Sequence, residues 1–241
     1  MSNRNAFVGK NVETLFKNSV GDHKDIIEKI RDTFNIEGGF VTAISSGIHN
    51  EKVDIKMEFS CGRNVDANVK AYKKTIAYNQ LTRTTLTNFC NKFNLDCLDL
   101  LQDLFIKKAK HINSQLIPVN EQEKVMSILK PIVKDLVEWS MSYKKAREIL
   151  VLYERTESIM YIYSMKDVLK HLNYDVVFTT KGNIAIGKSI VIQRKGGNGV
   201  HIHGIKDKGD PTHPGNNIQF KLKVNEFVKE MEKYLLGQYA I

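Results

Sequence analysis

Three polar residues, Asp54, Asn68 and Lys70, have side-chain types and a spacing that suit metal-assisted hydrolysis of a phosphodiester bond. Asp54 is expected to bind a divalent cation directly, with the main-chain carbonyl of Val69 as a further ligand and Asn68 holding a water beside the ion. Lys70 is expected near the attacking water, where a pre-positioned cation stabilises charge that develops on the phosphate. A surface ion pair between Asp54 and Lys70 explains the same pattern about equally well.

A β-hairpin is the element that would bring these side chains together. Residues 53–59 and 65–72 alternate polar and apolar side chains, and the turn-forming residues 61–63 separate them. With 61–63 as the loop, antiparallel pairing places Asp54 opposite Lys70. Because side chains alternate between the two faces of a strand, this register also predicts that the three polar residues share one face.

A stretch that mixes cations, amides and tyrosines follows the hairpin directly, at residues 71–83. Such a mixture suits a nucleic-acid surface, where lysines contact phosphates, amides and arginines reach base edges, and an aromatic ring stacks or wedges at a base step. A solvated loop and helix start is the alternative for any of these residues taken singly. The candidates for DNA contact are Lys73, Tyr78, Asn79, Gln80 and Arg83.

A second candidate for DNA contact is the string Gln193, Arg194, Lys195 and Gly196, which ends a predicted strand. Arginine and lysine match the acceptors on guanine in the major groove, glutamine can serve several base edges, and glycine lets the backbone approach a ligand closely. The string therefore predicts a target that contains GC pairs. A cradle for a nucleotide phosphate is the alternative, although the spacing of a Walker motif is absent.

Length, charge and cysteine content limit the classes of protein that fit. The 241 residues can bury a full core, and the 36 Lys and Arg against 27 Asp and Glu give a net charge of +9, which favours a polyanionic partner. Cys61, Cys90 and Cys97 are too few and too unevenly spaced for a disulfide framework or a zinc site, so free thiols are expected. Without a secretory signal or a run of about 18 apolar residues, the expected location is cytoplasmic, with no membrane partner.

Hydrophobic periodicity predicts an α/β fold with one mixed central sheet flanked by helices, in a single domain over residues 1–241. The catalytic hairpin lies at 53–72, a helix-rich middle segment at about 81–172, and the recognition strands and loop at about 176–224. Helices are predicted at 22–34 with Asp22 as its cap, 81–93, 95–111, 120–142 with a break at Pro131, 143–152, 165–172 and 227–236. Further strands are predicted at 40–45, 176–180, 184–187, 190–194 and 218–224.

These motifs together resemble the HinP/MspI group of type II restriction endonucleases, in the PD-(D/E)XK superfamily. Residues 182–199, GNIAIGKSIVIQRKGGNG, and 216–227, NNIQFKLKVNEF, resemble the C-terminal part of those enzymes. The hairpin resembles theirs too, with Asp-Ile, then polar-Val-Lys, then aromatic-Asn-Gln eight residues beyond the lysine. The resemblance covers both ends of the chain well and the helical middle poorly.

The resemblance implies a PD-(D/E)XK nuclease fold and Mg²⁺-dependent cleavage of both strands of duplex DNA at a short GC-only palindrome, GCGC. It assigns catalysis to Asp54, Asn68 and Lys70, and base reading to the Gln-Arg-Lys-Gly string. It also implies that the aromatic residue, here Tyr78 instead of phenylalanine, enters the duplex from the minor groove. A cognate cytosine methyltransferase would be a functional partner without physical contact, and the enzyme would act as a monomer or weak dimer.

Nucleases of this architecture often take another carboxylate from the first helix, for which Asp25 and Glu28 are candidates, although acids near a helix N-terminus usually serve the helix dipole. His201, His203 and His213 share one loop and are expected to face phosphate or solvent, with metal binding as a weaker alternative. Two other functions remain open: a basic DNA-binding protein that does not cleave, and a structure-specific repair or junction nuclease on the same fold.

Overall fold

The computed structural model describes residues 4–46, 53–75, 78–141, 147–197, 204 and 207–241. Within these ranges the chain divides into two compact units. The first is drawn from Met1–Asn79, Ser142–Leu172 and Val228–Ile241, and the second from Gln80–Met141 and Asn173–Phe227. The single domain expected for the whole chain stays a prediction.

The helices and strands of the described residues are as follows, in chain order. The helices are α1 (Arg4–Ser19), α2 (Lys24–Phe34), α3 (Leu86–Phe93), α4 (Leu98–Lys110), α5 (Val119–Leu129), α6 (Val133–Met141), α7 (Met165–His171) and α8 (Val224–Glu230). The strands are β1 (Phe40–Ser45), β2 (Ile55–Phe59), β3 (Asn64–Tyr72), β4 (Tyr78–Thr84), β5 (Glu148–Glu154), β6 (Ile159–Ser164), β7 (Val176–Phe178), β8 (Ile184–Ile186), β9 (Ile190–Arg194), β10 (Ile218–Lys223) and β11 (Leu235–Ala240).

The first unit is built on a six-stranded sheet in the order β1-β2-β3-β5-β6-β11, in which β3 and β5 run parallel and the other neighbours antiparallel. One face of this sheet is apolar. Val65, Ala67 and Val69 of β3 are buried there in one cluster with Phe16 of α1 and Ile30 of α2. Because the intervening residues of β3 point to the opposite face, that face is free to carry polar side chains.

The second unit is built on a five-stranded sheet in the order β4-β10-β9-β8-β7. Its strands β10, β9, β8 and β7 pair antiparallel with their neighbours in that order. An aromatic cluster joins this sheet to the helices: Trp139 of α6 packs edge-on against Phe93 of α3 and Phe220 of β10, with ring centroids 5.5 and 5.4 Å apart. This packing holds β10, and with it the paired strand β9, against the helices of the second unit.

The mixed α/β class, with a mixed sheet flanked by helices, is confirmed. The expectation that all strands join one sheet is wrong, because the strands of residues 176–224 pair with one another and with β4 in a second sheet. Strands β1 and β9 have the predicted bounds, and the helical stretch at 120–142 is interrupted at Lys130–Ile132, as Pro131 predicts. The cysteines are free, as expected. No helix of the described residues is long and apolar enough to cross a membrane.

Several predicted elements are corrected by the structure. The helix predicted at 143–152 is wrong, because its described part belongs to β5, whose residues are all buried and therefore show no alternation. The helix predicted from residue 81 begins only at Leu86, since the residues before it form β4. Asp22 does not cap α2, whose N-cap is His23 without a side-chain bond. Helix α1 and strands β6 and β11 were not predicted.

Candidate active site and nucleic-acid interface

The hairpin of β2 and β3 has a register two residues away from the predicted one. Ile55 lies opposite Ala67, and the Asp54 N–H donates to the Ala67 carbonyl at 3.1 Å, so the pairing continues to Asp54. Asp54 therefore lies opposite Asn68, and its predicted position opposite Lys70 is wrong. A shift of two residues preserves the face of every side chain, so the predicted shared face of the three polar residues still holds.

The turn explains the difference in register. The Gly62 N–H donates to the Phe59 carbonyl at 2.9 Å, and the Phe59 N–H donates to the Arg63 carbonyl at 3.1 Å, so the loop is 60–62 and not 61–63. Gly62 has a φ of +77°, which suits the third position of a three-residue hairpin loop. A glycine at the end of the loop, where a left-handed backbone is needed, decides where the two strands meet.

Asp54, Val69 and Lys70 form a close group at the end of this hairpin. The Asp54 Oδ2 accepts the Val69 N–H at 2.7 Å and lies 3.5 Å from the Lys70 Nζ. The same Nζ lies 3.5 Å from the Val69 carbonyl oxygen. The side chains of Asp54 and Lys70 are each 23% exposed, so a ligand can still reach them. The ion pair between Asp54 and Lys70, which was the alternative interpretation of the pattern, is present. The Val69 carbonyl oxygen lies beside it.

Glu13 of α1 is a further carboxylate at this group, and the sequence did not single it out. Burial raises the pKa of Glu13, and the negative charge of Asp54 raises it further, while Lys70 and Lys10 lower it. A carboxylate that is partly desolvated and repelled by a second carboxylate gains from a shared cation. Val12, Phe16 and Val20 recur at helical spacing, and this signal could have revealed the helix that carries Glu13.

The donor set at this group suits a hard cation such as Mg²⁺. It consists of oxygens: the carboxylates of Asp54 and Glu13 and the Val69 carbonyl. Asn68, opposite Asp54 in the pairing and half-buried, is the nearest amide along β3. In the described part of the chain, no three His, Cys, Asp or Glu side chains are grouped closely enough to bind a metal by themselves. Water and a phosphate oxygen would therefore have to complete the shell.

The other acids and histidines considered above lie elsewhere. Asp25 and Glu28 are exposed on α2, and Asp25 lines a separate cavity of about 620 Å³ with Tyr161 of β6 and Glu232. His213 is fully buried and its Nδ1 accepts the Gly215 N–H at 2.9 Å, so the expectation that it faces phosphate or solvent is wrong. His201 and His203 lie outside the described residues.

The predicted DNA contacts that follow the hairpin lie on or just before β4. Tyr78 is 45% exposed, and Lys73 and Arg83 are also exposed. Asn79 is anchored, because its Nδ2 donates to the Ala71 carbonyl at 2.8 Å. Exposed cations and an exposed ring on one stretch keep the predicted phosphate and base contacts physically available.

Gln80 is tied to a residue that the sequence did not single out. The Gln219 Nε2 donates to the Gln80 Oε1 at 2.5 Å, and Gln219 is only 7% exposed. Gln219 also lies directly opposite Gln193 in the pairing of β10 with β9. Three glutamines therefore follow one another across β4, β10 and β9, as a row of amide groups that can donate and accept hydrogen bonds.

Three residues of the Gln-Arg-Lys-Gly string, Gln193, Arg194 and Gly196, border a cavity of about 290 Å³ in the second unit. Gln193 and Arg194 are neighbours on β9 and so leave the strand on opposite faces, yet both line the cavity at the strand's end, with Gly196 and Lys108 of α4. Gly196 and Gly197 have φ values of +72° and +73°, a backbone that favours glycine there.

The cavity is strongly basic. Burial lowers the pKa of Arg194, and burial together with neighbouring cations lowers the pKa of Lys195 and of Lys108. The neighbouring cations are Arg83, Lys181 and Arg194 itself. No carboxylate of the described residues lies within ion-pair distance of Arg194. Cations that depress one another's pKa, without a compensating acid, favour an anionic ligand.

No protein-family model and no curated protein matches the chain. One match among solved structures is the crystal structure of the restriction endonuclease MspI in complex with its cognate DNA. Its TM-score is 0.49 and its sequence identity 13%, and the match covers 82% of this chain and 77% of that chain.

Proposed function

We propose that the chain is a type II restriction endonuclease that uses Mg²⁺ to cut both strands of duplex DNA at the palindrome GCGC. The observation that carries the proposal is the group at the end of the hairpin, where the Lys70 ammonium lies 3.5 Å from both a carboxylate oxygen of Asp54 and the Val69 carbonyl. Clustered oxygens can hold a divalent cation that activates water, and an ammonium beside them can stabilise charge that develops on a phosphate.

Each residue of the group has a defined role in this proposal. Asp54, Glu13 and the Val69 carbonyl would hold Mg²⁺, with Asn68 orienting a water, and the bound ion would neutralise phosphate charge and make a water more acidic. The Val69 N–H fixes the Asp54 carboxylate through its bond to Oδ2. Lys70, held by Asp54, presents a positive charge to the attacking water and to the phosphate as negative charge develops.

Sequence recognition is assigned to the basic string and the amide row. Arg194 and Lys195 offer donors that match the guanine O6 and N7, and Gln193 offers an amide to the neighbouring base edge. Lys73 and Arg83 are exposed and offer phosphate contacts, and Tyr78 presents a ring for a base step. Modification of the target by a cognate cytosine methyltransferase would protect host DNA in the same cytoplasm.

Digestion of plasmid DNA tests the proposal. Purified protein, plasmid and Mg²⁺ should yield discrete fragments, whose sequenced ends all derive from GCGC and also give the position of the cut. The same plasmid methylated at the cytosines of GCGC should stay intact. Salt-sensitive binding without cleavage would favour a DNA-binding protein, and cleavage at branched DNA regardless of sequence would favour a junction nuclease.

A further inference from the structure

Asn216 lies at the centre of a buried hydrogen-bond network beside the basic cavity. It is 2% exposed, at the end of the short turn that precedes β10. Its Nδ2 donates to the main-chain carbonyls of Lys208 and Asp210 at 3.0 and 2.8 Å. Its Oδ1 accepts the Nε–H of Arg194 at 2.8 Å. All of these groups belong to the second unit.

This network allows only one orientation of the Asn216 amide. A carbonyl oxygen can only accept, so the side of the amide that faces Lys208 and Asp210 must be the nitrogen. The oxygen must then face Arg194, whose Nε–H can only donate. A flipped amide would leave the Lys208 carbonyl without this donor, would place oxygen against oxygen at Lys208 and Asp210, and would bring two donors together at Arg194, which is costly for a buried amide.

Arg194 is therefore held by one edge of its guanidinium, at Nε. The guanidinium is planar, so fixing Nε fixes the plane and the direction of the two terminal nitrogens. Its Nη2 is buried and has no hydrogen-bond partner among the described residues. The Arg194 side chain borders the cavity of about 290 Å³, and burial lowers its pKa. Its guanidinium is therefore already partly desolvated before a ligand binds.

We propose that Asn216 is a positioning residue for base recognition: it holds Arg194 in the orientation in which the guanidinium can donate two parallel hydrogen bonds to guanine. A free arginine would sample many rotamers and contact phosphates as readily as bases. An arginine fixed at Nε donates in one plane, and bidentate contact with a base edge depends on that plane. The inference rests on the proposed function, because it concerns the selectivity of the same DNA site.

Selectivity assays with two variants test the proposal. Asn216→Ala should lower the preference for GCGC over duplexes with one G·C pair replaced by A·T about 10- to 100-fold, since one bidentate contact supplies about that much discrimination. Binding to unrelated duplex DNA should change less than about threefold, because phosphate contacts remain. Asn217→Ala is the matched control and should keep the preference, since Asn217 contributes its main-chain carbonyl to the Lys195 N–H.

A double-mutant cycle separates positioning from a structural role. If Asn216 acts through Arg194, Asn216→Ala should cost no further preference when Arg194→Lys is already present. Additive losses would overturn the proposal. Asn216→Asp retains an oxygen for the Arg194 Nε–H but loses the donor to the Lys208 and Asp210 carbonyls, so its preference should fall between those of wild type and Asn216→Ala.

A spectroscopic measurement does not depend on DNA or on full stability of the alanine variant. In the wild-type protein the Arg194 Nε–H should give a slowly exchanging NMR signal, which Asn217→Ala preserves and Asn216→Asp shifts. A rapidly exchanging Arg194 Nε–H in the wild-type protein would refute the proposal that Asn216 holds Arg194. If the wild-type protein prefers no DNA sequence, the proposed function is wrong. If the wild type is selective and Asn216→Ala keeps that selectivity, only the role of Asn216 is wrong.

Discussion

Glu154 is the buried carboxylate whose replacement gives the clearest test of how the first unit is held together. It is the last residue of β5 and is 0% exposed. Its Oε1 accepts the Lys74 N–H at 3.0 Å, and its Oε2 accepts the N–H groups of Thr156 and Glu157 at 2.8 and 2.6 Å. One side chain therefore ties the turn after β5 to the segment that follows β3.

Glu154→Gln should destabilise the protein by about 2–3 kcal/mol at pH 7. A glutamine has one oxygen, so at best it keeps the two bonds of Oε2 and turns its NH₂ toward the Lys74 N–H. One charge-assisted hydrogen bond, worth about 1.5–3 kcal/mol, is then lost, and the other two weaken. Relief from burying a charge offsets part of this loss. Glu157→Gln removes only an exposed ion pair with Lys74 and should cost less than about 1 kcal/mol.

The loss should depend on pH in a defined direction. Burial alone would raise the pKa of Glu154, but the hydrogen bonds from the N–H groups of Glu157, Lys74 and Thr156 outweigh burial and lower it. A carboxyl whose pKa is lower in the folded protein stabilises fully above its unfolded pKa and loses that contribution as the pH falls through the folded value. The difference between wild type and Glu154→Gln should therefore be constant near neutral pH and shrink in acid.

Urea unfolding followed by far-UV circular dichroism, with hydrogen exchange at the Lys74, Thr156 and Glu157 amides, measures this effect. Tryptophan fluorescence is unsuitable, because the single Trp139 belongs to the second unit. A Glu154→Gln protein within about 0.5 kcal/mol of wild type at pH 7, or with undiminished loss in acid, would refute the reasoning, since surface substitutions change stability by about that amount.

Three further predictions concern the site itself. Gly62→Ala should destabilise by about 1 kcal/mol in urea and slow cleavage, because it strains the φ that sets the hairpin register, and Gly62→Asn should be tolerated better. Glu13→Gln should weaken the activation of cleavage by Mg²⁺. Because the pKa of Glu13 is raised, activation of the wild type should begin to fall, as the pH is lowered, at a higher pH than an ordinary glutamate would give. Mg²⁺ titrations at several pH values should show that the variant lacks this fall. Gln219→Met should relax base preference in competition cleavage, because it removes the partner of Gln80, and unchanged preference would contradict the amide row.

The sequence predicted the polar face of the site but not its register. Alternation along β3 places Asn68 and Lys70 on one face whatever the pairing, since a period of two is a local property. The register depended on which turn position Gly62 occupies, and that is decided by main-chain bonds on both sides of the loop. Local pattern thus predicts faces better than it predicts opposite neighbours.

Long-range packing decided the parts that the sequence missed. Between Glu148 and Glu154, the residues of β5 form an unbroken apolar run that is buried on both faces, and periodicity cannot distinguish such a run from a helix. Asn216 and Gln219 were missed because their hydrogen-bond partners, Arg194 and Gln80, lie 22 and 139 positions away in the chain. No local spacing can reveal a partner at that separation.

The central claim is tested most directly by the rate at which wild type and Asp54→Asn cut a GCGC duplex with Mg²⁺ under single-turnover conditions. The asparagine can still accept the Val69 N–H, so the hairpin and binding to duplex DNA in Ca²⁺ should be preserved. We expect cleavage to fall at least about 100-fold while binding stays within about threefold. Cleavage by Asp54→Asn at the wild-type rate would contradict the account.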